Sequence, residues 1–340
     1  MMIYRHLPHH DDCCHRLIRV GVLALMCLAL VSGCNRRPTQ ATTAQETGQT
    51  ATELPLRIVC LSPALTDILI DLELGQYIVG RDTWERQLDD RTPMVPRIGD
   101  LSHLDAEALV ALNPTDIVFQ ETVGGLAPKL RSLAERSGWN LVSIHIDSLA
   151  DVTAAVRVLA SDLSYGADGP ASAELRAAVS ARSVQLVERL EHGETGESEE
   201  AVGLGSGQSL LMLHSLDPPA AFGPGSYLHD ILTACGGTNV LTGGGAWQEL
   251  SAETLLLVDP WAIVIVQEGS ASAGPTDLAT QRLSRLDLEC VRAGRVYALS
   301  HPQILLPGTS MALDVPELMR DLLAQLEDST GVDADEGSGG

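Results

Sequence analysis

The chain has 340 residues, 45% of them hydrophobic and 20% charged, a globular composition long enough for two lobes that each bury a core. Its 45 acidic residues against 22 basic ones leave a formal net charge of −23, which repels nucleic-acid phosphates and excludes that partner class. Aromatics make up 3%, so any aromatic-lined site must draw on very few residues.

Residues 1–33 read as a processing signal. Arg16 and Arg19 precede the apolar run Val20–Val31, which is shorter than the ~20 residues a spanning helix needs. The run ends in Val31-Ser32-Gly33-Cys34, which resembles a bacterial lipobox and implies Cys34 as a lipid-bearing first residue; a plain secretory signal is the other reading. Residues 34–55 are rich in Thr, Gln and Ala without apolar periodicity, and are expected to form a flexible tether. Beyond them remain Cys60, Cys235 and Cys290, of which only Cys235 and Cys290 share a lobe.

The N-terminal lobe, residues 56–170, alternates strand and helix. Strands are expected at Arg57–Ser62, Tyr77–Gly80, Asp116–Phe119 and Leu141–Ile146, and helices at Pro63–Leu74, Ala106–Leu112 and Ala127–Ser137. Residues 171–192 lack Gly and Pro and are rich in helix formers, which predicts a helix reaching ~30 Å with Leu175, Val179, Val184 and Leu190 as an apolar stripe. Such a helix is either a strut between two lobes or a peripheral helix of one larger domain. An exposed acidic loop, residues 193–208, follows. The C-terminal lobe, residues 209–327, repeats the scheme. Its strands are expected at Ser209–Ser215, Ala262–Val266 and Val296–Ser300, and its helices at Tyr227–Cys235, Ala252–Val258 and near Pro316–Leu326. Residues 328–340 read as a disordered acidic tail. The alternation predicts an α/β fold: two parallel-sheet lobes joined by one long backbone helix, with a ligand cleft between them.

Two phrases 146 residues apart nearly coincide. Leu104–Phe119 reads LDAEALVALNPTDIVF and Leu250–Ile265 reads LSAETLLLVDPWAIVI, sharing Glu107/Glu253, Leu109/Leu255 and Pro114/Pro260 among other pairs. In each, Asp105 or Ser251 is placed to cap a helix whose first turn carries the Glu, where the helix dipole favours an acid, and the proline stops the helix. A duplicated lobe with local capping explains the pair without any partner.

These phrases, with RIVCLSPALTDILIDLELGQYIVGRD and DPPAAFGPGSYLHDILTACGGTNVL, resemble the iron-chelate/vitamin B12-type periplasmic binding proteins of ABC importers, across residues 56–326. The vitamin B12-binding branch is the most similar. The resemblance implies a monomeric, extracytoplasmic, membrane-anchored binder of a small-molecule metal chelate, with corrinoid first and ferric siderophore or haem as the alternative, and a zinc or manganese receptor less favoured. It also implies that Glu107 and Glu253 dock onto arginines of a permease dimer; paired acids on twin lobes suit a two-fold receptor.

Ligands of parallel α/β lobes lie beyond the carboxyl ends of the strands. The first lobe brings there Ser62, the Arg81–Trp84 turn, Leu101 and the Gln120–Thr122 turn. The second brings His214, Phe222, Ser226, Trp247 and His301. Trp84 and Trp247 occupy polar or Gly-rich turns and match pocket aromatics of the B12-binding branch, whereas Leu101 and His214 stand where that branch has aromatics. Ser62 and Ser226 are helix caps in either case. His214 or His301 is the candidate axial ligand for a chelated metal; the histidine and cysteine spacing holds no metal-binding motif. Gly308–Ala312 approximates a nucleophile elbow but does not directly follow a strand, and Gly203–Gly207 lacks the Lys-Ser/Thr of a phosphate loop. Neither an enzyme nor a resident cofactor is expected.

Overall fold

In the computed structural model the described residues are 56–84, 94–122, 125–165, 170–194, 207–276, 281 and 283–335. The leader, Cys34, the tether and residues 195–206 of the acidic loop lie outside them. Among the described residues no helix is long and apolar enough to cross a membrane.

The first sheet has four strands, β1 (Ile58–Cys60), β2 (Ile78–Arg81), β3 (Asp116–Gln120) and β4 (Asn140–Ile144), in the order β2-β1-β3-β4. All its pairings are parallel. Each crossover is carried by a helix with a readable start. Ser62 caps α1 (Pro63–Asp71), Asp105 caps α2 (Ala106–Leu112), and Pro128 opens α3 (Pro128–Ser137). After β4, Ser148 and Asp151 form a reciprocal capping box on α4 (Leu149–Asp162).

Helix α5 (Pro170–Glu194) then runs 25 residues to the second sheet, packing along α4 and the C-terminal helix. Its buried stripe is Val179, Ser183, Leu186, Val187 and Leu190, whereas Val184, expected on it, is 55% exposed. At ~100° per residue Val184 is rotated ~140° from Val179, which turns it to solvent.

The second sheet differs from the expected parallel one. It is a mixed, six-stranded sheet in the order β7-β6-β5-β8-β10-β9. Its centre, β5 (Leu210–Leu216), β8 (Ala262–Gln267) and β10 (Val296–Ser300), is parallel. Its edges, β6 (Pro219–Phe222), β7 (Trp247–Glu249) and β9 (Ser272–Pro275), pair antiparallel. Only Asp217 and Pro218 separate β5 from β6, and so short a connection permits an antiparallel pair alone. Helices α6 (Tyr227–Ala234), α7 (Ala252–Val258) and α8 (Glu289–Arg292) complete the lobe.

The C-terminal helix, α9 (Thr309–Asp335), begins earlier and ends later than its sequence suggested. Pro316 lies inside it rather than at its start, and residues 328–335, expected to belong to a disordered tail, continue it. No proline follows Pro316 to stop the helix.

The cores explain how the halves are held. Alternate strand residues split each sheet into an inner and an outer face. Outer faces have separate cores: Val59, Ile117 and Phe119 pack with Leu109 of α2 and Leu130 of α3, and Leu211, Ile263 and Ile265 pack with Leu255 of α7. The inner faces do not. Ile58, Cys60 and Val118 of the first sheet and Met212, Val264 and Leu299 of the second belong to one continuous core, bridged by α1, α4, α5, α6 and α9. Cys235 lies in this shared core and Cys290 in the outer core of the second sheet; both are free and buried, so the two do not pair.

Candidate functional site

In the first lobe the carboxyl ends of the strands are tied to one another by polar side chains. Ser62 Oγ accepts the Leu65 amide and donates to Gln120 Oε1 at 3.3 Å, and Gln120 Nε2 donates to the Ile146 carbonyl at 3.3 Å. Ser62 is only 5% exposed, so this hydroxyl braces the ends of β1 and β3.

Trp84 is 73% exposed and held by two carboxylates. Its amide donates to Asp82 Oδ1 and its indole Nε1 to Asp100 Oδ2 at 3.1 Å, while the Ser102 and His103 amides donate to Asp100 Oδ1 at 2.7 Å. Hydrogen bonds from His103 and then Trp84 hold the Asp100 carboxyl below its ordinary range; burial pushes that of Asp82 up. The Asp100 turn thus ties Trp84 to the segment that carries Leu101. Leu101 also lines a cavity of about 410 Å³ with Phe119, Glu121, Leu126, Arg131 and Ser143, at the carboxyl ends of β3 and β4.

In the second lobe the three antiparallel-edge neighbours collect aromatic rings. His214 on β5, Phe222 on β6 and Trp247 on β7 come together because Phe222 and Trp247 are register partners. Ring centroids are 4.6 Å apart for Phe222–Trp247, 5.4 Å for His214–Trp247 and 5.6 Å for His214–Phe222. Phe222 is fully buried while Trp247 is 47% exposed, so the cluster ends in one open indole. Burial lowers the pKa of His214, which keeps its imidazole neutral at physiological pH. Gly223 makes the cluster possible: a Cβ there would overlap Gln248 Nε2 and the Gly245 carbonyl, where the 243–245 loop folds over. Gln248 Nε2 in turn donates to the Gly243 and Gly245 carbonyls at 2.7 and 3.0 Å, fixing the loop beside Trp247.

Sequence reasoning missed Tyr227. Its ring lies 5.7 Å from Phe222 and 6.2 Å from Trp247, and its hydroxyl donates to the Ile304 carbonyl at 3.1 Å. The signal was its place directly after the capping serine.

Two expected ligand residues are already engaged. Ser226 is fully buried, its Oγ accepting the His229 amide and donating to the Gly223 carbonyl at 2.8 Å. His301 is 6% exposed, with Nδ1 accepting the Gln303 amide and Nε2 3.4 Å from Asp314 Oδ2. In this arrangement His301 offers no ring nitrogen to a chelated metal. Among the described residues no group of three or more His, Cys, Asp or Glu side chains is placed to hold a metal ion.

The duplicated phrases fold alike. Asp105 caps α2 through the Glu107 and Ala108 amides, and Ser251 caps α7 through Thr254. Each helix ends in a left-handed residue before its proline, Asn113 at φ 43° and Asp259 at φ 40°. Glu107 and Glu253 are exposed, and beside them Val110, Leu256 and Leu257 are 51%, 48% and 85% exposed. A recess of about 700 Å³ borders α7 at Ala252 and Leu255, and none of the clustered aromatics lines it.

No protein-family model matches the chain. It is 25% identical over 213 residues, 62% of its length and 71% of the relative's, to a vitamin B12-binding protein of Pectobacterium carotovorum. It is 21% identical over 273 residues to YvrC of Bacillus subtilis, an uncharacterized ABC transporter substrate-binding lipoprotein, covering 79% of this chain and 80% of that one. The apo form of the periplasmic heme-binding protein RhuT from Roseiflexus superposes with a TM-score of 0.59 at 20% identity, over 79% of this chain and all of the other. By sequence the chain is similar to binding proteins of the iron-chelate/vitamin B12 type that serve ABC importers, and its two-lobed α/β fold is the one such periplasmic binding proteins share.

Proposed function

We propose that this protein is an extracytoplasmic solute-binding lipoprotein that captures a metal-chelate nutrient, a corrinoid in the first place, and delivers it to an ABC importer without chemical change. The observation that carries the reading is the aromatic cluster in which buried Phe222 and Tyr227, with His214, back the half-exposed indole of Trp247, whose open face suits a large, rigid, flat ligand. The vitamin B12-binding relative supports the choice of corrinoid. Trp84 and Leu101 would close on the ligand from the first lobe. Residues 1–33 as leader, Cys34 as lipid site and 34–55 as tether fit the lipoprotein designation of the B. subtilis relative. Glu107 and Glu253 are the docking acids for a two-fold permease.

Haem is the second reading, favoured by His214. Its imidazole borders the open indole and is kept neutral by burial, which outweighs a hydrogen bond to its own backbone, and a neutral imidazole is the form that ligates a metal.

Native mass spectrometry of the solubilised full chain with cyanocobalamin, haemin and a ferric hydroxamate tests the proposal. A one-to-one cyanocobalamin adduct is the expected result. A haemin adduct alone selects the second reading, and no adduct with any of the three overturns both.

A further inference from the structure

The two helices of the duplicated phrases turn the same face outward. Burial along residues 105–114 and 251–260 matches position by position except at Ala106 and Ala252, half-buried in one copy and exposed in the other. Leu109 and Leu255 belong to the outer cores of their sheets. Positions 107, 110 and 111 of α2, and 253, 256 and 257 of α7, are exposed and three or four residues apart, so they share one face of each helix. That face reads Glu, Val, Ala in the first lobe and Glu, Leu, Leu in the second. We propose that each face is an acid-plus-apolar contact for one half of the permease dimer, and that the second lobe, through Leu256 and Leu257, carries most of the affinity. This rests on the docking reading of Glu107 and Glu253 and adds what fills the contact beside each acid.

The apolar residues are what a local explanation leaves over. Capping and the helix dipole account for Asp105, Ser251 and the two acids, but neither requires an apolar side chain at 110, 256 or 257. Helix propensity does not require one either, because Lys, Arg, Gln and Glu suit an exposed position as well as Leu, and Val suits it less. Of the seven large hydrophobic side chains exposed among the described residues, three lie on these two short helices, and Leu257 is the most open of all. A single exposed leucine needs no cause. An acid with apolar neighbours, repeated at matching places in two lobes, has the make-up of an interaction surface.

The repetition also narrows the occupant. Two like faces suit a receptor with two like half-sites, which a two-fold dimer supplies. Each acid calls for a cation, and the residues beside it call for an apolar depression. A bilayer surface would accept the leucines but repel the acids, and a second copy of a chain with net charge −23 would set acid against acid. The half-sites of a homodimer are identical, so any difference between the lobes lies in this chain. Two leucines bury more apolar area than a valine and an alanine, and the second lobe holds more tightly.

A photo-crosslinking residue tests this in cells that make the full chain. Benzoylphenylalanine is placed at 257 in one chain and at 111 in another, and adducts are identified by peptide mass spectrometry. Both positions should capture the same ABC permease subunit. Leu256→Gln with Leu257→Gln should lower the yield from the probe at 111 by about tenfold or more, whereas Val110→Gln should lower the yield from the probe at 257 by less than about threefold. Glutamine is as good a helix former as leucine, and each variant is read from the opposite lobe, so a loss reports docking rather than local damage. Equal losses, or no loss from the leucine pair, overturn the apolar anchor; disappearance of the adduct in Glu107→Ala with Glu253→Ala then shows that the docking reading still stands. An adduct with a second copy of this chain or with lipid alone, or no permease adduct from either position, overturns the docking reading and this inference with it.

Discussion

Replacing Asp67 by alanine and by asparagine separates the charge of a buried carboxylate from its hydrogen bonds. Asp67 belongs to α1 of the first lobe and is 2% exposed, yet it caps the helix that crosses from the second lobe. Its oxygens accept the Ser310 amide at 2.8 Å, the Ser310 hydroxyl at 2.7 Å and the Thr309 hydroxyl at 3.2 Å. Asp67→Ala strands the Ser310 amide and hydroxyl in a buried site, at about 1–3 kcal/mol for each group before relaxation, so a loss of about 2–4 kcal/mol is expected. Asp67→Asn keeps an acceptor for the amide, and its own N–H can donate to the Ser310 oxygen once the hydroxyl proton rotates.

Charge then decides the sign. Burial, reinforced by the like charge of Asp71, holds the Asp67 carboxyl above its ordinary range against the hydrogen bonds from Ser310. Between the ordinary carboxylate pKa and the raised one, the folded state binds more protons than the unfolded state. Stability from this group is therefore fully present below the ordinary value and lost as pH rises through the folded one. Asparagine removes that loss. In urea titrations Asp67→Asn should equal or exceed the wild type at about pH 7.5, with the difference shrinking toward about pH 4.5, while Asp67→Ala is weaker at both. If asparagine costs as much as alanine at neutral pH, or its deficit grows with pH, the ionised charge holds the two lobes together and the reasoning is wrong.

Trp247→Ala should weaken chelate affinity by about 10–100-fold with little change in thermal midpoint, because the indole is half exposed; a matching loss of stability would make it a core residue instead. Glu107→Ala combined with Glu253→Ala should leave ligand affinity intact and abolish uptake in whole cells, and impaired binding would return both acids to a purely local helix role. Cys34→Ala should move the protein from the membrane to the soluble fraction on cell fractionation; continued membrane association would refute the lipid anchor.

Elements whose causes are local were legible in the sequence. The caps Ser62, Asp105, Ser226 and Ser251 act where their spacing placed them, and β3 and β8 follow Pro114 and Pro260 as read. Elements whose causes are distant were not. Strands β6, β7 and β9 are three or four residues long and exist through their partners rather than through any apolar period of their own. The start of α9 is fixed by Asp67, 243 residues before Ser310. The site divides in the same way. Phe222 and Trp247 stand out as rare aromatics near Gly-rich turns, whereas Tyr227, read only as the start of a helix, joins them through contacts that the fold makes.

The shared core limits how such a protein can move. A wide swing of one sheet against the other would have to part Asp67 from Ser310, the Asp147 carbonyl from the Tyr227 amide and Asp230 from the Leu149 amide. It would also open the core that both sheets contribute to. Exposing three leucine-sized side chains alone costs ~5–9 kcal/mol, comparable with the entire stability of an ordinary domain. Capture should therefore proceed by a rotation of a few degrees. In that case the distance between Glu107 and Glu253 hardly differs between empty and loaded protein, so a permease reading only their spacing would accept both. On the proposed docking reading, discrimination would then have to come from parts beside the ligand, such as the Gly243–Gly245 loop that Gln248 fastens next to the open face of Trp247.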